Sequence, residues 1–175
     1  MELHGNQLTE LISAERIQNR IDTLGEEISE KFKGEIPILI GVLNGSFVFL
    51  ADLMRAITIN CEMDFIKVQS YSGTESTGTV HLLKDVSADI TNRHVILVED
   101  IIDSGLTIKF LRDRFLASNP ASLSVASFLL KPTIANLNFK IDFVGFEIPP
   151  EFVVGYGLDY DQKLRHLKGI YRLEQ

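Results

Sequence analysis

The segment VILVEDIIDSGLT, residues 95–107, puts four apolar residues directly before Glu99 and Asp100, with Asp103, a serine, a glycine and a threonine close behind. Carboxylates this close repel one another, so the arrangement calls for a cation, a proton or a hydroxyl-rich ligand. Glu99 and Asp100 are suited to accept hydrogen bonds from sugar hydroxyls or to help hold a hydrated magnesium ion. Asp103, Ser104 and Gly105 are expected to turn the chain, with Thr107 opening a helix whose free amides suit a phosphate. A plain acidic helix cap, worth about 0.3–1 kcal/mol, would account for one of these acids but not for three.

Other chemistry-bearing patterns are weaker. Gly73 to Thr79 has the glycine spacing of a Walker loop but lacks its lysine and precedes no helix. Gly155-Tyr156-Gly157 starts a dinucleotide fingerprint and then continues Leu-Asp-Tyr, with no third glycine. His4, His81, His94 and His166 are scattered without metal-ligand spacing. Cys61 has no histidine near it in the sequence and reads as a small core residue.

The elements that must position the acids follow from periodicity. Ile17, Ile21, Leu24, Ile28 and Phe32 recur at helical steps, with Ser13 as the N-cap. EIPILIGVL (35–43) reads as a buried strand closed by Asn44-Gly45-Ser46, and SFVFLADLMRA as a core helix. CEMDFIKV (61–68) partly alternates, as a strand with one wetter face does. SYSGTESTGT (70–79) offers almost nothing to bury and is expected to be mobile. HVILV (94–98) is a buried strand, GLTIKFLRDRFLAS (105–118) a helix, and SLSVASFLL, DFVGFEI and FVVGYG supply further strands. Such alternation predicts an α/β fold with a mostly parallel sheet and helices on both faces. In such sheets ligands bind beyond the carboxyl ends of the strands, where the acidic turn falls.

The 175 residues suit one domain, residues 1–175, with 45% apolar and 23% charged residues. No apolar stretch is long enough to span a membrane, and MELHGNQLTE lacks the features of a secretory signal. With a single cysteine, a cytoplasmic setting is expected. The net charge of −7 argues against sequence-independent nucleic-acid binding. A small anion would have to be held by amides, metal ions or a few local basic residues.

VILVEDIIDSGLT resembles the phosphoribosyl-pyrophosphate-binding signature of the type I phosphoribosyltransferases. GVLNGS, SYSGTESTG, LLKPT and DFVGFEIPPEFVVGYGLDY resemble, in order and approximate spacing, the hypoxanthine-guanine phosphoribosyltransferases. The likeness spans roughly residues 35 to 172, and FVVGYGLDY is the part that points to 6-oxopurines. It implies the type I phosphoribosyltransferase fold, with a small hood formed by the terminal segments. It also implies transfer of a phosphoribosyl group to hypoxanthine and guanine with magnesium, in a homodimer or homotetramer.

Residue by residue, the resemblance implies that Asp103 exchanges a proton with purine N7 and that Asp103, Ser104, Gly105, Leu106 and Thr107 wrap the 5′-phosphate. Glu99 and Asp100 would take the ribose hydroxyls, directly or through magnesium. Lys131 would donate to purine O6, with Phe152 stacking on the base and the Val153 backbone reading its edge. Asp159 would serve on the purine side and as a magnesium ligand, and Arg165 would contact pyrophosphate. Asn44 and Gly45 lie in the pyrophosphate loop, which in the family has a non-proline cis peptide. Many relatives carry a basic residue where this chain has Asn44, so here the loop amides would serve. Ser70, Tyr71 and the residues up to about 79 would form a lid that keeps water out.

Two other classes compete. A non-catalytic regulator with this fold could lack the base-pocket residues or carry a basic surface, whereas this chain keeps Asp103, Lys131 and Phe152 and is acidic. A receiver-type signalling domain would put its acidic pair on an early strand and its phospho-acceptor on a later one, not all three at one late turn.

Overall fold

Ser13 ends an extended N-terminal segment and starts a helix, its hydroxyl accepting from the Arg16 amide at 3.3 Å. The computed structural model describes residues 2–3, 6–71 and 79–174. In chain order the elements are β1 (Glu2–Leu3), β2 (Asn6–Ile12), α1 (Ala14–Lys31), β3 (Ile38–Leu43), α2 (Phe47–Ala56), β4 (Glu62–Tyr71) and β5 (Thr79–Lys84). There follow β6 (His94–Ile102), α3 (Leu106–Leu116), β7 (Ser122–Leu130), β8 (Phe143–Glu147), β9 (Val153–Val154) and β10 (Ile170–Glu174). None of the described helices is long and apolar enough to cross a membrane.

The main sheet runs β5-β4-β3-β6-β7-β8, parallel except for β5 at its edge. β3 pairs with β4 on one side and β6 on the other, so successive crossovers leave β3 and β6 in opposite directions. Such crossovers keep one hand, and the reversal therefore puts their helices on opposite faces. α1 and α2 bury Ile21, Leu24, Ile28, Phe49 and Leu53 with Leu39, Ile96 and Phe128 on one face. α3 buries Ile108, Leu111 and Phe115 with Ile40, Leu97 and Val125 on the other. The reversal leaves a crevice beyond the carboxyl ends of β3 and β6, the preferred place for a ligand in such sheets.

Gly25 lets α1 and α2 approach, since a Cβ there would lie 2.5 Å from the Ala56 carbonyl oxygen. Ser29 reinforces the contact, donating to the Gly25 carbonyl at 2.6 Å and accepting from the Thr58 amide at 2.9 Å.

The second sheet, β1-β2-β10-β9, is the hood built from the two ends of the chain. β2 and β10 pair antiparallel from Ile12↔Ile170 to Gln7↔Glu174, and β10 holds β9 through Tyr171↔Val154. β2, β5 and β10 are not among the strands expected from periodicity.

Two boundaries differ from expectation. β6 continues through Ile102, so Glu99 and Asp100 lie on the strand and not on the turn, and α3 starts at Leu106 rather than Thr107. The segment expected to be mobile over 70–79 is partly sheet: Ser70 and Tyr71 pair with Val80 and Thr79. The remainder, 72–78, lies outside the described residues.

Leu24 is fully buried between the helices and the sheet. Leu24→Ala is expected to lower the unfolding free energy by about 2–5 kcal/mol, read from urea unfolding curves.

Candidate active site

At the end of β3 the Leu43–Asn44 peptide is cis, and Ser46 turns the chain back by donating its hydroxyl to the Val42 carbonyl at 2.7 Å. The turn has no room for a side chain at Gly45, where a Cβ would overlap the Asp100 carboxylate. Gly157, at φ 98°, approaches the same turn, and a Cβ on it would overlap the Gly45 carbonyl. Arg165 braces this meeting of segments by donating to the Gly157 carbonyl at 2.7 Å and pairing with Asp159 at 2.9 Å. Together they line a cavity of about 450 Å³ that includes Asn44, Gly45, Glu99, Asp100, Asp159 and Arg165.

Glu99 is buried, and among the described residues its Oε2 has no hydrogen-bond partner. Burial, and then the neighbouring Asp100 charge, push its carboxyl well above the usual range. Asp100 rises from 3.8 to about 6, chiefly through burial, against the opposing pull of the Ile101 amide and of Arg165. Such an acid pair is poised for a proton or a cation. Asp159 is engaged elsewhere: besides Arg165, it accepts from the Gln162 amide at 2.8 Å. Among the described residues no three His, Cys, Asp or Glu side chains gather as a metal site. The orphaned Glu99 oxygen beside Asp100 still fits magnesium, which is commonly held by one or two carboxylates with water and substrate oxygens completing its shell.

Glu99 and Thr107 also line a second cavity of about 370 Å³, formed by residues 101–108. Gly105 takes a left-handed φ of 88° before α3, and among the described residues no side chain caps that helix. Its first amides therefore face the loop, apart from a long contact from Leu106 N–H to the Ser104 hydroxyl at 3.4 Å. The Asn136 amide donates to the Ser104 carbonyl at 3.1 Å and fixes the loop from behind. Among the described residues no basic side chain lines this cavity, so an anion there would depend on amides and hydroxyls.

Asp103 parts from the other two acids. It is half-exposed and pairs with Lys131 at 3.1 Å, whose own side chain is only 8% exposed. A lysine ending a strand is ordinarily on the surface, so its burial here is informative. Phe152 is 54% exposed, with its ring edge-to-face with Tyr160, while Val153 is buried in β9. Ser70 and Tyr71 end β4, and their side chains are outside the described residues.

Two features escaped sequence reasoning. Tyr156 donates its hydroxyl to Asp52 at 2.6 Å, tying the Gly155–Asp159 segment to α2. Lys67 lines the first cavity, and its only sequence signal was its place on the wetter face of β4.

The phosphoribosyl transferase domain family matches residues 7–161. The chain is 49% identical over 160 residues to the hypoxanthine phosphoribosyltransferase of Buchnera aphidicola, covering 90% of each. It is 45% identical over 171 residues to the hypoxanthine-guanine phosphoribosyltransferase of Mycobacterium tuberculosis, covering 94% of this chain and 85% of that protein. A crystal structure of a hypoxanthine-guanine phosphoribosyltransferase from Bacillus anthracis superimposes with a TM-score of 0.89 at 45% identity, covering 95% of this chain and 97% of that one. The hypoxanthine phosphoribosyltransferase of Trypanosoma cruzi in complex with the product IMP gives 0.90 at 38% identity, covering 99% and 97%.

Because the folded-state value of Asp100 is raised, the native protein holds a proton between 3.8 and about 6 that the unfolded chain releases. Stability therefore falls as pH rises through that window. Asp100→Asn is expected to raise the unfolding free energy at about pH 8 by about 1–2 kcal/mol, and to make little difference near about pH 3. Urea unfolding at the two pH values checks this.

Proposed function

The chain belongs to the phosphoribosyl transferase family, and from that premise we propose that it transfers the 5-phosphoribosyl group of phosphoribosyl pyrophosphate to hypoxanthine and guanine. The products would be the purine nucleoside monophosphates and pyrophosphate, a purine-salvage reaction. The observation that carries this reading is the pairing of buried Lys131 with half-exposed Asp103 at the head of an uncapped helix loop. It sets a hydrogen-bond donor and a proton-exchanging carboxylate side by side, next to amides free for phosphate.

In this reading the amides of residues 104–107 and the hydroxyls of Ser104 and Thr107 hold the 5′-phosphate. Glu99 and Asp100 accept from the ribose hydroxyls and hold magnesium, which would neutralise the pyrophosphate leaving group. Their charge also favours the cationic character that develops on the sugar as the glycosidic oxygen departs. Lys131 donates to the purine O6, which selects against adenine, whose amino group donates at the same position. Asp103 exchanges the proton of purine N7. Phe152 offers an exposed ring face for stacking, and Asn44, Gly45 and Arg165 face the pyrophosphate. Tyr71, at the end of the β4–β5 hairpin, is assigned to the lid.

The hood and the main sheet share one apolar cluster through Ile12, Phe128, Val153 and Ile170, which supports reading the chain as one functional domain. A cytoplasmic setting and assembly into a dimer or tetramer belong to the same proposal. The pairing of Lys131 with Asp103 weighs against a non-catalytic regulator.

Incubation with magnesium, phosphoribosyl pyrophosphate and each purine is expected to yield nucleotide from hypoxanthine and guanine and none from adenine. Asp103→Asn should lower kcat by about 10²–10⁴-fold while keeping nucleotide affinity. Turnover near that of the wild type would remove Asp103 from proton exchange.

A further inference from the structure

The first cavity is unusual in its charge. Glu99, Asp100 and Asp159 line it, whereas the cations on its wall are Lys67 and Arg165. Arg165 is committed to the Gly157 carbonyl, the Asp159 carboxylate and the Gln162 side chain. Position 44, on the turn that closes this cavity, carries the neutral Asn44. A polyphosphate entering such a space calls for a further cation besides the already engaged Arg165, and among the described residues lining the cavity Lys67 is the other one.

Lys67 stands directly beside the turn. In the parallel β3–β4 ladder it is the register partner of Leu43, the residue before the cis peptide. It is half-buried, and among the described residues its ammonium makes no hydrogen bond or ion pair. Its cross-strand neighbour Lys84 is engaged elsewhere, donating to the Phe65 and Asp85 carbonyls and pairing with Asp64. A register irregularity between Lys67 and Val68 falls just where β4 passes the cavity. A lysine without a partner, on the wall of a cavity otherwise rich in carboxylates, is placed for an anion brought by the ligand.

We infer that Lys67 binds the pyrophosphate group, supplying from β4 the positive charge that residue 44 does not provide. This rests on the phosphoribosyl-transfer reading above. The ammonium donates to pyrophosphate oxygens as a point charge, while the loop amides around Gly45 contribute directional hydrogen bonds. Its contribution therefore falls on phosphoribosyl pyrophosphate and pyrophosphate, not on the nucleotide product, which lacks that group.

The test uses the reverse reaction, in which pyrophosphate cleaves inosine monophosphate, together with calorimetric binding of inosine monophosphate alone. Lys67→Ala is expected to raise the KM for pyrophosphate by about ten- to a hundredfold, with inosine monophosphate affinity within about twofold. Lys67→Arg should keep most of the wild-type KM. Asn44→Lys introduced into Lys67→Ala should restore it, because the charge returns from the adjacent strand end. A pyrophosphate KM unchanged in Lys67→Ala overturns the inference, as does a loss that neither Lys67→Arg nor Asn44→Lys corrects. Wild-type protein inactive in both directions would instead refute the phosphoribosyl-transfer reading itself.

Discussion

The structure turns on two acids, Glu99 and Asp100, held at the end of a buried central strand with too little to neutralise them. Four apolar positions of β6 carry them into the sheet, where Val95 to Val98 are fully buried. The protein supplies the Ile101 amide and the influence of Arg165 to Asp100, and among the described residues gives Glu99 Oε2 no partner. Leaving a buried polar group unsatisfied costs about 1–3 kcal/mol, and more when it is charged. The surroundings are built around that cost: glycine at 45 clears space at the Asp100 carboxylate, and glycine at 157 lets the hood segment close over the same turn. An account in which a hydroxyl-bearing sugar and its cation complete these acids gives the strain a purpose.

The remaining groups divide the ligand by charge. In the proposed reaction the 5′-phosphate end would be served by backbone and hydroxyls, which suits a chain of net charge −7. The base end would use Lys131, buried and paired with Asp103, the carboxylate proposed to exchange the proton. The leaving-group end would draw on the cis turn, Arg165 and Lys67 of β4. Each part comes from a different segment, and the hood joins the two chain ends around them through β2 and β10. Tyr156 bonded to Asp52, itself paired with Arg55, ties that hood segment to the helix after the turn.

What could be read in the residues was whatever they encode locally. The apolar run before EDIID placed the acids at a sheet edge, and the heptad-like spacing of Ile17 to Phe32 located α1 and its Ser13 cap. The acids were expected on one turn, but strand pairing with β7 extends β6 through Ile102. That extension leaves Glu99 and Asp100 on the strand and frees Asp103 to meet Lys131. β2, β5 and β10 went unread because they are short, partly polar strands, given their form by partners far along the chain. Asp52 and Tyr156 lie 104 positions apart, a contact that no local pattern announces. Lys67 likewise acquires meaning only from its register beside Leu43.

The most direct test of the buried acid pair is carbon-detected NMR of the side-chain carboxyls, titrated in the free protein and again with phosphoribosyl pyrophosphate and magnesium. Asp100 is expected to titrate near 6 in the free protein, with Glu99 also above the ordinary range. Both midpoints should drop once the ligand and its cation are present. Carboxyls that titrate at ordinary values and ignore the added ligand would contradict this expectation.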